Sequence, residues 1–271
     1  MFKNYFKTAW RSMVKSKGYA ALNILGLAIG MAVAILIGLW ALNEFSFDAF
    51  HANRKNIGLV MKKTFFNGQK GTQSGVMLPL YTELKMKYPD VKFATRLDWG
   101  DSHTLMIDKK TLAKNGHFAD PDFLKMFSFP LTKGNAKTAL ADPYSLVLTQ
   151  STARALFGEA DPVGKTIRFD NMNNLTVTGV AKDVPRNSTI RFDFLVPYEY
   201  NVLTNDFVKG AQVEWRNNFL QTYVQLQDGV SMEAFSAKIA NLPAIKSNDT
   251  TQAALFLHAM PKWHLYGEFK D

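Results

Sequence analysis

Cysteine is missing from all 271 residues. That excludes disulfides, thiolate metal sites and a cysteine nucleophile, and leaves the compartment open. Histidine is scarce: His51, His103, His117, His258 and His264 share no metal-ligand spacing, and neither H-E-x-x-H nor G-x-S-x-G occurs. No enzyme, cofactor or metal site is therefore expected. The stretch "DWGDSH" gathers Asp98, Asp101 and His103 but reads as a polar loop, and "HAMPKWH" (258–264) carries less still. Acidic residues are missing before Glu44, while Lys3, Lys7, Arg11, Lys15 and Lys17 crowd the first seventeen positions. The formal charge of +9 is thus lopsided, since beyond residue 17 only 27 cations face 23 acids. Without a concentrated basic face there is no electrostatic footprint for a phosphate backbone, so no nucleic-acid partner is expected.

A phosphate-binding loop is also absent, although "LFGEADPVGKTIRF" (156–169) imitates one. Its Gly164-Lys165-Thr166 triplet matches the end of such a loop, with Gly158 upstream. Five residues rather than four separate the glycines, and they include Glu159, Asp161 and Pro162. Two carboxylates repel a triphosphate, and the proline removes an amide that should bind it. The following "TIRFD" alternates as a strand does, where a phosphate loop requires a helix, so the segment reads as a helix–turn–strand connection.

What the chain does contain begins with an uncharged run, "GYAALNILGLAIGMAVAILIGLWAL", from Gly18 to Leu42. At 1.5 Å per residue it reaches about 37 Å, enough for a hydrocarbon core of about 30 Å with some tilt. The rivals are a buried core helix, which would have to be apolar on every face, and a signal peptide, which is normally shorter and ends in a small-x-small cleavage site. An uncleaved membrane anchor over 18–43 fits better. Cations before it and Glu44 and Asp48 after it predict a cytoplasmic N-terminus, with residues 44 onward outside. Ahead of the span, Lys3, Lys7, Arg11 and Lys15 form one helical stripe, and Phe2, Tyr5, Phe6, Ala9 and Met13 form another face. Residues 1–17 therefore read as an interfacial helix with its basic side toward lipid headgroups. Within the span, Gly26, Gly30, Ala34 and Gly38 recur every four residues, a small-residue face suited to packing against another helix.

Beyond Asn43 the pattern is that of a mixed α+β domain. A strand over 56–66 with a turn at Asn67-Gly68, a helix over 76–88 stopped by Pro89, and a strand over 91–99 make one strand–helix–strand unit. The same order returns as a strand over 219–227, the turn Asp228-Gly229, a helix N-capped by Ser231 and a strand over 253–259. The two halves (44–99 and 217–271) are expected to share one sheet with both helices on one face. Between them, 100–216 reads as an inserted strand-rich subdomain with two short helices, near 120–127 and 150–157.

Four stretches appear in a telling order: "NEFSFDAFHANRKNI" (43–57), "FADPDFLKMFSFPLTKGNAKTALADPYSLVLTQ" (118–150), "STARALFGEADPVGKTIRF" (151–169) and "LTVTGVAKDVPRNSTIRFDFLVP" (175–197). Together they resemble the MacB/FtsX-like permeases of ABC transport systems, and specifically the extracytoplasmic core domain behind their first membrane helix. The resemblance covers essentially the whole chain. It implies that the glycine-lysine of the third stretch makes a turn, and that Pro185-x-Asn187-Ser188 is a family turn. It also implies a non-catalytic permease subunit of an export or envelope-maintenance system in the bacterial inner membrane. Its partners would be a cytoplasmic ABC ATPase, other permease copies or helices, membrane lipids and a periplasmic adaptor. Permeases of this type carry four or more membrane helices and this chain offers one, so it is expected to be the N-terminal part of a longer protein. The alternative is a singly anchored periplasmic sensor or ligand-binding module. An anchored hydrolase would require a nucleophile or metal ligand beside a base, for which there is no sequence signal.

Overall fold

The computed structural model describes residues 2–66, 69–247 and 253–267. The chain divides into two compact units, Met1–Ser46 and Phe47–Asp271.

The first unit consists of helices α1 (Phe2–Lys15) and α2 (Lys17–Phe45). They are separated at Ser16, whose φ of −115° and ψ of 61° depart from helical values. No described residue of either helix is buried, which removes the core-helix reading of α2. An 18-residue window of α2 has mean hydropathy 2.5, and by length and composition the helix can cross a membrane.

The second unit opens with strands β1 (Ile57–Phe66), β2 (Gln69–Gln73) and β3 (Val76–Met77), helix α3 (Pro79–Lys87) and strand β4 (Val91–Leu97). There follow β5 (Asp101–Ile107), β6 (Lys110–Ala119), α4 (Phe123–Met126), β7 (Leu131–Gly134), β8 (Ser145–Thr149), α5 (Gln150–Phe157), β9 (Thr166–Phe169) and β10 (Asn173–Ala181). The remainder comprises β11 (Phe194–Pro197), α6 (Tyr198–Thr204), α7 (Asp206–Ala211), β12 (Asn218–Leu226), α8 (Met232–Ile239), α9 (Leu242–Ser247) and β13 (Ala254–Ala259).

Two sheet regions share these strands. In the first, β4, β12, β1 and β13 lie side by side and every neighbouring pair is antiparallel. This is two strand–helix–strand units interleaved, a split β-α-β arrangement. Leu80 and Leu84 of α3 and Phe235 and Ile239 of α8 share one core with Val60, Ala94, Val224 and Leu257, so both helices cover the same face. Local chemistry explains their ends. Pro79 occupies the first turn of α3, where its missing N–H is harmless. The Ser231 side chain accepts from the Ala234 amide and caps α8.

In the second region the strand order β11-β8-β10-β9-β5-β6 closes through an added β11–β6 pairing, making a six-stranded ring. The β8–β10 and β6–β11 pairs are parallel. Leu105, Leu148, Ile167, Phe169, Val177 and Phe194 fill the associated core. Closure depends on Gly116, which lies opposite Phe194 in the β6–β11 register. A Cβ there would come within 2.3 Å of the Phe194 ring, so only glycine permits the approach.

Several expectations need correction. The helix expected over 76–88 starts only at Pro79, because Val76 and Met77 pair with β12 as β3. The helix after Ser231 ends at Ile239, and a second short helix follows as α9. The inserted stretch holds α6 and α7 besides the two anticipated helices; Asn205, accepting from the amides of Phe207 and Val208, caps α7. The turn expected at Asn67-Gly68 lies outside the described residues.

Candidate functional site

The second unit begins with a short segment, Phe47–Ala52, that runs over three other stretches and is held by each. Asp48 adopts φ 55°, a left-handed conformation that Asp tolerates better than most residues. Its amide donates to the Asn187 carbonyl at 2.9 Å, and its carboxylate accepts from the Thr189 amide at 2.9 Å and from the Thr189 hydroxyl. Three residues on, His51 Nδ1 accepts from the Ser128 amide at 3.0 Å, and the Ala52 amide donates to Ser128 Oγ at 2.9 Å. Phe47 stacks on His264, with ring centroids 3.5 Å apart. Segments 127–129, 187–189 and 260–264 thus converge on this neck.

The neck is polar in its bonds and greasy in its surroundings. Asp48 and His51 are each only 2% exposed. The His51 ring lies 5.4 Å from Phe127 and 5.0 Å from Phe129, edge to face, and 4.0 Å from Phe50. Because Nδ1 accepts a hydrogen bond, the neutral ring carries its proton on Nε2, which is buried without a hydrogen-bond partner among the described residues. A charged imidazolium would lose the Ser128 bond and stand among phenyl rings. Burial accordingly lowers its pKa from 6.5 to about 4.

A second joint lies deeper. Arg96 of β4 forks onto Asp120, just past β6, with Nη2 2.7 Å from Oδ1 and Nε 3.0 Å from Oδ2. The Arg96 amide also donates to Oδ2 at 2.6 Å, and Nη1 donates to Gln212 Oε1 at 2.8 Å. The guanidinium is sandwiched between Tyr81 of α3, at 4.4 Å, and Tyr198 of α6, at 4.1 Å. Beside it Lys85 reaches Asp122 at 2.7 Å and the Tyr81 hydroxyl at 3.0 Å. Burial opposes the Lys85 charge, but these partners outweigh it and push its pKa up to about 12.

Residues 20–242 match the MacB-like periplasmic core domain. The chain belongs to that family. Solved structures share its fold, among them the three that follow. A permease-protein domain from Porphyromonas gingivalis aligns with a TM-score of 0.63 and 25% identity, covering 77% of this chain and 92% of that one. The periplasmic region of MacB from Actinobacillus actinomycetemcomitans gives 0.55 and 16%, covering 78% and 94%. The extracellular domain of the noncanonic ABC-type transporter YknZ from Gram-positive bacteria gives 0.55 and 14%, covering 74% and 100%. Among curated proteins, Dynein heavy chain-like protein 1 of Plasmodium falciparum is 27% identical over 138 residues, half of this chain. The match spans 3% of that protein and carries no functional argument.

Seen as a MacB-like core domain, the chain uses its quoted motifs structurally. Gly158 (φ 63°) ends α5 and Gly164 (φ 82°) makes the turn before β9. The Gly164 amide donates to Val177 and the Lys165 amide to Pro162, so both are already engaged, and the Lys165 ammonium lies 5.3 Å over the Phe157 ring. Asp98, Asp101 and His103 do not converge. Asp98 holds His117 and the Phe118 amide, Asp101 accepts from the Ser102 amide, and His103 pairs with Asp170 at 2.6 Å. Among the described residues no group of three His, Asp or Glu could hold a metal ion.

Gly26, Gly30, Ala34 and Gly38 lie on α2 and Lys3, Lys7, Arg11 and Lys15 on α1, all exposed. A Cβ added at any of the three glycines would meet nothing within 4 Å. Sequence reasoning missed the neck residues Asp48, His51, Ser128 and Thr189. The usable signal was that three of the family-like stretches each carried one or more of them.

Proposed function

We propose that this chain serves in a permease subunit of an ABC-type export or envelope-maintenance system and works as a mechanical lever. The N-terminus lies in the cytoplasm, α2 crosses the inner membrane through residues 18–43, and residues 44–271 stand in the periplasm. A cytoplasmic ABC ATPase, at work beneath the membrane helices, moves the outer domain without passing substrate through a tunnel in the bilayer. Other permease copies or helices pack on the stripe Gly26, Gly30, Ala34 and Gly38. Lys3, Lys7, Arg11 and Lys15 sit at the lipid interface, and a periplasmic adaptor completes the assembly.

The neck carries this reading. A lever needs a firm grip on the chain that leaves the membrane helix, and Asp48 and His51 supply one without any catalytic group. Affinity capture of the full-length permease from membranes, with identification of the bound proteins, tests it. The expected result is co-capture of an ABC ATPase that is released when Gly30 and Ala34 are both changed to Leu. Capture of no ATPase, together with residues 44–271 resisting protease added outside, would overturn the reading.

A singly anchored binding module is the second reading, and one observation favours it. The outer domain holds a cavity of about 550 Å³, lined by Asn115, Thr149, Ser151, Asp183, Arg191 and Asp193 among others. That volume suits a small polar ligand. Capture of no ATPase by the full-length protein, together with binding of a small polar ligand that Arg191→Ala abolishes, would support this second reading; ATPase capture that Arg191→Ala leaves unchanged supports the lever.

A further inference from the structure

The proposal concerns α1 and rests on the interfacial placement proposed above. Around the axis of this helix, Lys3, Lys7, Arg11 and Lys15 occupy an arc of about 120°, and Phe2, Tyr5, Phe6, Ala9 and Met13 fill the opposite side. Trp10 falls at the border between the two. Every one of these side chains is exposed, Phe2 at 94% and Phe6 at 75%, so the helix buries neither face within its unit. No carboxylate occurs in the first 43 residues to neutralise the cations. Only Ser16 separates α1 from α2, and its non-helical ψ of 61° lets the two axes diverge. A helix tied by one residue to a membrane span, aromatic on one side and bearing four cations, with Asn4 and Val14 among them, on the other, has both surfaces matched by an anionic lipid leaflet.

We propose that α1 is a binding site for anionic phospholipid headgroups. The four cations engage the phosphate-bearing surface while the aromatic face enters the acyl boundary. Net negative lipid charge, and not apolar partition alone, holds the helix down and fixes the cytoplasmic end of α2. Each cation near such a surface strengthens binding about fivefold, so neutralising all four should release the helix.

The test is hydrogen exchange of the full chain in nanodiscs of phosphatidylcholine alone and of phosphatidylcholine mixed with phosphatidylglycerol. Amides of residues 2–15 should exchange at least about tenfold more slowly in the mixed discs, and raised salt should erase the difference. K3Q/K7Q/R11Q/K15Q should lose the protection, and K3R/K7R/K15R, which keeps every charge, should retain it. Equal protection in both discs, or protection surviving in the glutamine variant, would overturn the proposal by showing that the apolar face suffices. Absence of protection in both discs would also overturn it, pointing to a protein partner. Inorganic phosphate should act no differently from chloride at matched ionic strength; specific displacement would mean that a soluble anion is the ligand. Amides of α2 report separately: if they exchange freely, the membrane-span reading has failed, whatever α1 does.

Discussion

The neck and the Arg96–Asp120 joint both tie remote stretches of the outer domain together, by different means. Arg96 and Asp120 form a two-point charged fork, only 7% and 5% exposed at their side chains, between two tyrosine rings. The neck uses neutral or singly charged hydrogen bonds to loop residues, and one of its anchors is a histidine that must stay uncharged. An enclosed ion pair tolerates little change, because removing one partner strands the other's charge in a poorly solvating interior. Bonds to loops give way more easily. The difference suits the proposed lever, whose interior is held by an enclosed ion pair and whose grip on the segment leaving α2 is built from several hydrogen bonds.

Asp120→Ala should have the largest effect. It leaves the Arg96 guanidinium buried without its counter-ion, and denaturant unfolding should report a loss of about 3–5 kcal/mol. A loss below about 1 kcal/mol would mean that water reaches the joint and that it is no stiffer than the neck. Asp48→Ala should cost less, about 2–3 kcal/mol, from two lost hydrogen bonds and a left-handed alanine. Asp48→Asn, which tolerates the same φ and keeps an acceptor, should recover most of that loss.

Acid sharpens the contrast next. His51 titrates at about 4 in the folded chain against 6.5 ordinarily. Below pH 6.5 the unfolded chain therefore binds the proton first, and the folded state loses stability as pH falls toward 4. At about 1.4 kcal/mol per pH unit, His51 should cost about 2 kcal/mol between about pH 6.5 and pH 5. His51→Asn, which keeps an acceptor for the Ser128 amide but does not titrate, should flatten that part of the stability profile. An unchanged slope would place the acid sensitivity elsewhere. The smallest effect is expected at the false phosphate loop: Lys165→Ala should leave stability within about 0.5 kcal/mol, and neither protein should bind ATP in equilibrium dialysis.

How legible these regions were in the sequence follows from the range of the interactions. α2 declares itself by an unbroken apolar run, and Ser231 announces α8 because a cap and its amide are three residues apart. The alternation in β1, β4, β12 and β13 predicts the shared sheet for the same local reason. Ring closure was not legible, because it rests on a parallel β6–β11 register between residues 116–119 and 194–197 and on one glycine meeting one phenylalanine. The helices α6 and α7 are seven and six residues long, too short for a helical period to stand out. The neck was hidden for the plainest reason. Asp48 reaches Thr189 across 141 positions and His51 reaches Ser128 across 77, so each anchor looks like an ordinary loop residue until the chain folds.

The most direct test of the central claim breaks the neck and watches the lever. In proteoliposomes holding the full-length permease and its ATPase, a spin label at exposed Lys137 reports the position of the outer domain with and without ATP. With Asp48→Ala and His51→Ala combined, and circular dichroism confirming a folded domain, ATP hydrolysis should continue while the ATP-driven displacement disappears. Full displacement in that variant would contradict the claim that motion enters the outer domain through this segment.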